Sequence, residues 1–330
     1  MPIRLHQPLK PATLTPCCSK RPPVNFVPKG LIKKVLKRGI RDVAQFEDRC
    51  VQRMRRGPKR ATRAIPAIDD LPAQSALVVV AHPDDDVISS GALLARLSRA
   101  GVIWVTDGAP RGGAFAQDAG FDNWPDYALE RRHEADAALA LLGRDITPKY
   151  NLGITDRDVA LDLVALARTL VRPLSSGLKY VITHAYEGGH PDHDATAFGV
   201  HAACALITRS GMTPPTIVEA PLYNAWDGVF RTRRFVPHED AGPVLTLVLS
   251  DRERDLKRRM FECHATQRGI LRDFGIDEEY FRVAPRYHFA VAPHVGDVGF
   301  NEYRWPVNGK RWRQRAWRAM RELDLVRELA

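Results

Sequence analysis

The 330-residue sequence lacks the long apolar segments that mark membrane and secreted proteins. No stretch approaches the roughly 20 consecutive apolar residues that a membrane-spanning helix needs. The chain begins Met1-Pro2-Ile3-Arg4 and does not lead into the apolar block of a secretory signal. We therefore expect a soluble, cytoplasmic protein.

Cysteine is also scarce, which argues against two kinds of site. The five cysteines have irregular spacing and form no Cys-x-x-Cys pair; they are Cys17, Cys18, Cys50, Cys204 and Cys263. An odd, irregular set does not suit a disulfide framework or a thiolate zinc site. A reducing compartment fits this pattern.

Positive charge is abundant in only one part of the chain. The formal net charge is +10, but residues 1–70 contain 17 of the 49 Lys/Arg and only 5 of the 39 Asp/Glu. The rest of the chain therefore has a slight acidic excess. Because the basic character is local, the overall charge does not indicate nucleic-acid binding by the main body.

The N-terminal residues differ in composition from the rest. Residues 1–28 are rich in Pro, Lys and Arg, which is typical of an extended or disordered leader. Residues 29–73 begin with apolar residues at helical spacing among many Lys and Arg, which predicts a basic amphipathic helix followed by a linker. This helix either packs on the main domain or makes a peripheral contact with an anionic membrane surface or nucleic acid.

The main domain, residues 74–330, alternates apolar strands with helices. The patterns predict strands at 76–81, 102–106 and 179–185, and helices at 88–99, 126–142, 158–171 and 194–209. A polar loop spans 107–125, and such long loops often form lids or substrate walls. We predict a Rossmann-like, open, mainly parallel α/β sheet with helices on both faces. A C-terminal helix rich in Arg and Trp either packs on this body through Trp317, Met320 and Leu323 or contacts nucleic acid or a membrane.

Two clusters of His and Asp follow two of these strands. His82-Pro83-Asp84-Asp85 comes directly after the first strand, and His190-Pro191-Asp192-His193 comes shortly after the strand at 179–185. Open α/β sheets bind ligands at the carboxyl ends of their strands, so we expect the clusters to meet. No Gly-x-Gly-x-x-Gly follows the first strand, which argues against a dinucleotide-binding protein.

These residue types suit metal-assisted hydrolysis. Zinc binds imidazole nitrogen and carboxylate oxygen, and it lowers the pKa of a bound water to about 7. A neighbouring carboxylate can then accept the water proton, while another group stabilises the developing charge or protonates the leaving group. The two clusters contain enough side chains for all these roles.

The motifs resemble those of a known family. Ala81-His82-Pro83-Asp84-Asp85 is similar to the AHPDDE signature of the PIG-L/LmbE-like deacetylases, and Gly189–His193 is similar to their second motif, GHPDH. Over residues 75–285, further similar segments are Val105–Gly108, Arg131–Gly143 and His264–Gln267. Asp86 stands where this family usually has Glu, and Thr266 where it has Ser.

The resemblance implies a role for each matching residue. It implies that zinc, or another divalent metal such as Fe²⁺, is bound by His82, Asp85 and His193. It also implies that Asp84 is the general base, that His190 stabilises the tetrahedral intermediate or protonates the leaving nitrogen, and that Asp192 orients His190. Further candidates for substrate contacts are Arg131, Asp107 and His264.

The implied reaction removes the acetyl group from an N-acetylated amino sugar, such as N-acetylglucosamine, or from a glycoconjugate. Two alternatives stay open at this stage. The same metal site can act on another small amide or ester of specialised metabolism, or the protein can be a non-catalytic module that binds through its basic termini. The three consecutive carboxylates Asp84, Asp85 and Asp86 also suit a simple helix N-terminus. The expected partner is a small molecule or glycoconjugate, and the oligomeric state is not predicted.

Overall fold

A computed structural model describes residues 75–303 and 305–330. The predicted leader at 1–28 and the predicted amphipathic helix and linker at 29–73 lie outside the described residues. The two interpretations of the basic helix therefore stay predictions.

The main feature of the fold is a seven-stranded sheet. Its strands are β1 (Ser75–Val80), β2 (Arg99–Pro110), β3 (Lys149–Asp156), β4 (Tyr180–His184), β5 (Thr216–Ala220), β8 (Leu245–Val248) and β9 (Glu278–Val283). Their order is β3-β2-β1-β4-β5-β9-β8. Strands β1 to β5 pair in parallel, whereas β9 pairs antiparallel with both β5 and β8. Two short strands, β6 (Tyr223–Asn224) and β7 (Arg231–Thr232), form a separate hairpin.

Helices cover both faces of this sheet. They are α1 (Asp85–Arg96), α2 (Ala114–Asp118), α3 (Trp124–Ala140), α4 (Leu163–Leu174), α5 (Pro191–Arg209), α6 (Asp251–Cys263), α7 (Arg268–Leu271), α8 (Gly309–Glu322) and α9 (Val326–Leu329). Helices α1, α3 and α6 form one layer, and α4, α5 and α8 form the other. The predicted open, mainly parallel α/β fold is confirmed.

The central strand β1 is buried on both faces, which accounts for its continuous apolar sequence. Ala76, Val78 and Val80 pack in the same core cluster as α1, α3 and α6, while Leu77 and Val79 are buried on the opposite side. A strand covered on both faces needs a continuous apolar run. Each fully buried Val or Leu contributes about 1.5–3 kcal/mol through burial of apolar surface.

The sequence did not predict strand β3. This strand lies at the edge of the sheet, and most of its residues are exposed or half-buried. An edge strand with polar residues and Gly153 has no continuous apolar run to recognise. The predicted loop at 107–125 is also shorter than expected, because β2 continues to Pro110 and α2 occupies its middle.

The sheet places the two His/Asp motifs side by side. Strand β1 lies between β2 and β4, so the chain moves outward from β1 in both directions. At such a switch point the connections diverge and leave a crevice at the carboxyl ends of the strands. The first motif follows β1, and the second follows β4. Both therefore border this crevice.

The C-terminal helix α8 packs on the body of the domain. Trp312, Ala316 and Met320 are buried, and the Trp312 indole nitrogen donates a hydrogen bond to the carbonyl oxygen of Pro191 at 3.0 Å. This contact lies at the start of α5, within the second motif. The geometry supports the packing interpretation of this helix, with Trp312 rather than the half-buried Trp317 as the anchor.

Among the described residues, no helix combines the length and the apolar character needed to cross a membrane.

A fully buried ion pair anchors α1 behind the crevice. The Lys257 ammonium lies 2.7 Å from a Glu279 carboxylate oxygen and also donates to the carbonyl oxygen of Ile88 at 2.9 Å. The Glu279 carboxylate accepts hydrogen bonds from the backbone nitrogens of Ala92 and Leu93. The pair thus joins α6, β9 and α1, the helix that begins at the first motif.

We expect Lys257→Met to lower the free energy of unfolding by about 3–5 kcal/mol, because it leaves the Glu279 carboxylate buried without its cation. The matched control is Arg258→Met on the same helix, which removes an exposed ion pair with Asp255. That change is expected to cost at most about 1 kcal/mol. Urea denaturation measures both, and equal stabilities of the two variants would contradict the anchoring role.

Candidate active site

The first motif forms a tight turn whose conformation is fixed by hydrogen bonds. The Asp85 carboxylate accepts from the backbone nitrogen of His82 at 2.7 Å, and the His184 ring accepts from the backbone nitrogen of Ala81 at 2.8 Å. Asp84 occupies the N-cap position of α1, but its side chain makes no capping hydrogen bond. The Asp84 carboxylate is therefore available for a purpose other than capping.

Three side-chain atoms from the two motifs converge. His82 Nδ1 lies 3.1 Å from Asp85 Oδ2 and 3.2 Å from His193 Nε2, and the last two atoms are 3.4 Å apart. Tetrahedral zinc with bonds of about 2.0–2.2 Å separates its ligand atoms by about 3.3–3.6 Å. Two imidazole nitrogens and one carboxylate oxygen at this spacing fit a divalent metal.

Two other groupings of His and Asp lie nearby, and both fit a metal less well. Asp85, His184 and His193 form one of them, but the His184 nitrogen facing Asp85 already accepts the Ala81 hydrogen bond. The other combines His82 and His190 with Asp156 and Asp192, where the donor atoms lie as far as 3.7–3.9 Å apart. The His184 ring instead stacks on His193, with centroids 4.3 Å apart.

A residue that sequence reasoning missed orients His82. The Asp156 carboxylate, at the end of β3, lies 3.2 Å from His82 Nε2. A carboxylate on the outer nitrogen of a ligating histidine fixes the orientation and tautomer of its ring. Asp156 was missed because β3 was missed; the available signal was a Thr-Asp pair before a turn, as at Thr106-Asp107.

Asp84 is held by a buried arginine. The Arg131 guanidinium lies 3.2 Å from the Asp84 carboxylate and donates to the carbonyl oxygens of Gly108 at 2.8 Å and Pro83 at 3.3 Å. Burial raises the pKa of Asp84, and the charge of Arg131 opposes that rise. Because Arg131 is only 4% exposed, it is placed to position Asp84 and the turn rather than to reach outward.

His190 is the N-cap residue of α5, and its ring lies beside the rings of His82 and His193. Its Nδ1 accepts from the backbone nitrogen of Asp192 at 3.2 Å, so the neutral ring carries its proton on Nε2. Burial lowers the pKa of His190 well below its usual value, which favours this neutral form. The Trp305 ring packs against the His190 ring, with centroids 4.7 Å apart.

Asp192 lies in the site, but its carboxylate does not contact the His190 ring that it was predicted to orient. One carboxylate oxygen accepts from the backbone nitrogen of Arg157 at 2.5 Å and lies 3.7 Å from His82 Nε2. Within the described part of the chain, no hydrogen bond joins this carboxylate to the His190 ring. The structure therefore links Asp192 to His190 through the backbone nitrogen, and the carboxylate faces His82.

Asp107 and His264, the other predicted substrate contacts, lie where they support the fold of the domain. The Asp107 carboxylate accepts from the backbone nitrogens of Ala109 and Asp156, so it joins the ends of β2 and β3. His264 is fully buried, and burial lowers its pKa to about 3. Neither side chain is placed on an open wall of the crevice.

The two departures from the family pattern each have a local explanation. The Asp86 carboxylate accepts from the Trp104 indole nitrogen at 2.9 Å, and burial raises its pKa to about 7. Asp86 therefore faces the core, not the site. Thr266 donates through its hydroxyl to Glu134 at 2.6 Å and through its backbone nitrogen at 2.7 Å, so Thr supplies the hydroxyl expected of Ser.

Residues 77–204 match the sequence pattern of the PIG-L family, described as GlcNAc-PI de-N-acetylase. These residues therefore resemble a PIG-L domain. The match includes both His/Asp motifs, so the resemblance stated from the motifs is confirmed there, together with the enzyme class of N-deacetylases. The His264-Ala265-Thr266-Gln267 segment lies beyond the matched residues.

Several solved structures with a similar fold are deacetylases. A deacetylase of the teicoplanin biosynthesis pathway covers 63% of this chain and 96% of its own, with 20% identity and a TM-score of 0.50. The A40926 pseudoaglycone deacetylase Dbv21 covers 64% and 96%, with 20% identity and a TM-score of 0.49. N,N'-diacetylchitobiose deacetylase from Pyrococcus horikoshii covers 71% and 87%, with 20% identity and a TM-score of 0.41. At this identity the likeness to the teicoplanin-pathway deacetylase shows the fold alone. No curated protein matches the sequence.

The glycine before the second motif has no room for a side chain. A Cβ atom at Gly189 would lie 1.9 Å from the carbonyl oxygen of Tyr223. The Tyr223 ring packs against the His193 ring, with centroids 5.1 Å apart. The close approach of the two backbones therefore determines how β6 meets the second motif.

We expect Gly189→Ala to destabilise the protein by about 3 kcal/mol, because backbone atoms must move to admit the methyl group. Gly242→Ala is the control, since a Cβ there meets nothing within 4 Å. Denaturant unfolding of both variants measures the difference. Wild-type stability of Gly189→Ala would show that the two segments are not in contact as described.

Proposed function

We propose that this protein is a zinc-dependent hydrolase that removes the acetyl group from an N-acetylated amino sugar or glycoconjugate. The observation that carries the proposal is the triangle of His82 Nδ1, Asp85 Oδ2 and His193 Nε2, with sides of 3.1–3.4 Å, inside a PIG-L domain. The donor set is typical of zinc, and Fe²⁺ is a second candidate with the same ligands.

His82, Asp85 and His193 would hold the metal. When bound, it supplies Lewis-acid chemistry, which acidifies water and polarises the acetamide carbonyl. Asp156 and the backbone nitrogen of His82 keep two of the ligands in place: the first holds the His82 ring, and the second holds the Asp85 carboxylate. The ligand triangle is thereby preorganised.

Asp84 serves as the general base in this proposal. Its carboxylate is adjacent in sequence to Asp85, is buried, and is held in a fixed orientation by Arg131. A base that takes a proton from water near neutral pH works best with a pKa raised towards that range. Burial raises the pKa of Asp84 in this direction.

His190 donates a hydrogen bond through Nε2 to the oxygen that becomes negative as the acetamide is attacked. A neutral imidazole with its proton on Nε2 is suited to this role, because its donor is fixed by the bond at Nδ1. The Asp156 carboxylate lies near the rings of both His82 and His190, and the Asp192 carboxylate faces His82, so both balance charge on that side.

The family description supports an acetamido sugar as the substrate, because GlcNAc-PI is an N-acetylglucosamine conjugate. The alternative is the same metal site acting on another small amide or ester. A screen that measures acetate released from acetylated amino sugars, with and without chelator, separates the two. Hydrolysis of simple acyl esters with no acetamido sugar turned over would favour the alternative.

We expect purified protein to hold roughly one zinc per chain, and Asp84→Asn to keep the metal while kcat falls by about 10²–10⁴-fold. Asparagine keeps the shape of the side chain and an acceptor for Arg131 but cannot take a proton. Metal content is measured by elemental analysis, and turnover by acetate release in the screen.

The controls separate metal binding from catalysis. His193→Ala is expected to lose the metal, whereas His133→Ala, on the exposed face of α3, is expected to keep it. Asp118→Asn changes an exposed aspartate and is expected to retain full turnover. Full activity in metal-free protein would overturn the proposal.

Asp156→Asn is expected to weaken zinc affinity by about 10–100-fold, since asparagine no longer holds the outer nitrogen of His82 as a carboxylate does. Asp158→Asn, two positions away, removes an ion pair with Arg111 and is expected to leave zinc affinity unchanged. Competition with a chromophoric chelator measures both affinities. Equal affinities would exclude Asp156 from orienting the ligand.

A further inference from the structure

Arg157 occupies an unusual backbone position beside the site. It follows Asp156 at the end of β3, and its φ angle of 72° lies in the left-handed region that non-glycine residues adopt infrequently. Its backbone nitrogen donates to the Asp192 carboxylate at 2.5 Å. These constraints fix where the Arg157 side chain leaves the backbone, next to the carboxylates that face His82.

Two aromatic rings from distant segments contact the Arg157 guanidinium. Its central carbon lies 4.4 Å from the centroid of Phe115, on α2, and 4.5 Å from that of Trp305, in the C-terminal part of the chain. Trp305 also contacts His190, so one ring touches both the guanidinium and a proposed catalytic residue. Arg157 is therefore a neighbour of the reaction centre.

Among the described residues, no carboxylate lies within ion-pair distance of the Arg157 guanidinium. Within residues 75–303 and 305–330, Arg157 forms no ion pair, and its buried Nε has no hydrogen-bond partner. The two nearest acidic residues in sequence are engaged elsewhere: Asp156 contacts His82, and Asp158 pairs with Arg111 at 3.0 Å. The charge of Arg157 helps to lower the pKa of Asp156 without a direct ion pair between them. A half-buried guanidinium that makes no direct ion pair beside a reaction site can bind an anion.

The contacts of Phe115 and Trp305 with the Arg157 guanidinium suit the binding of an anion. Rings that pack on a guanidinium restrict its rotation and leave its terminal N–H groups free for planar, bidentate bonds to a carboxylate or phosphate. Holding the side chain in advance reduces the entropy lost when the anion binds. Phe115 and Trp305 thus prepare Arg157 for a ligand.

We propose that Arg157, with Phe115 and Trp305, forms a subsite for an anionic group, a carboxylate or phosphate ester, carried by the acetamido sugar. The inference rests on the proposed deacetylase function and narrows its substrate class to acidic acetamido sugars. Arg157 then acts as a specificity-determining residue that binds the charged part of the sugar near Trp305 and His190.

The experiment compares one neutral sugar with three acidic relatives. The neutral sugar is N-acetylglucosamine, and the acidic ones are its 1-phosphate, its 6-phosphate and its 3-O-lactyl ether, which place the anion at different positions and distinguish phosphate from carboxylate. We expect kcat/KM for at least one acidic sugar to exceed that of the neutral one by about tenfold or more.

Arg157→Met tests whether this residue is responsible. Methionine keeps an unbranched side chain against both rings and removes the charge, so the preference for the acidic sugar is expected to fall by about 10–100-fold, mainly through KM. Arg111→Met removes the same charge from a nearby exposed position and is expected to leave the preference unchanged.

The outcomes are distinct. Equal kcat/KM for neutral and acidic sugars would overturn the subsite. An equal loss for both sugars in Arg157→Met would also overturn it and leave Arg157 as a structural link between Phe115 and Trp305. An equal effect of Arg111→Met would show a general field effect and would also overturn it. Failure to release acetate from any of the four sugars would instead count against the proposed deacetylase function.

Discussion

The convergence of three donor atoms in a buried crevice is the constraint on which the rest of the site depends. His82, Asp85 and His193 bring their donor atoms within 3.4 Å of one another. Groups buried this closely are costly unless a cation or shared protons compensate them. The surrounding residues can be understood from this demand: Asp156 holds the His82 ring, and the stacked His184 ring restricts His193. A metal centre satisfies all of these contacts together.

The scaffold meets this constraint by anchoring each motif from behind. Helix α1, which begins in the first motif, is tied to α6 and β9 by the buried Lys257–Glu279 pair. Helix α5, which begins in the second motif, is tied to the C-terminal helix by the Trp312–Pro191 hydrogen bond. A displacement of about 1 Å between catalytic groups can cost about 100-fold in rate. Independent anchors on both helices therefore serve the chemistry as well as the fold.

Sequence patterns predicted the sheet and the two motifs because both depend on local rules. A strand buried on two faces must be apolar throughout, and the ends of parallel strands meet at one edge. Asp156 could not be predicted in this way, since β3 is an exposed edge strand without an apolar run. The burial of Arg131 and the contact between Trp305 and His190 depend on which distant segments meet, and no local spacing encodes that.

The residues proposed to carry out the chemistry and some of the residues that contact them lie in different parts of the chain. The proposed metal ligands and the proposed base lie within residues 77–204, where the PIG-L match is found. Tyr223 and Trp305, which contact His193 and His190, come from outside those residues. Changes near Trp305 can therefore reshape the crevice beside His190 without altering the ligand triangle. Because the segment before α8 contributes no proposed metal ligand, differences there can change the shape and charge of the substrate that the proposed metal centre accepts.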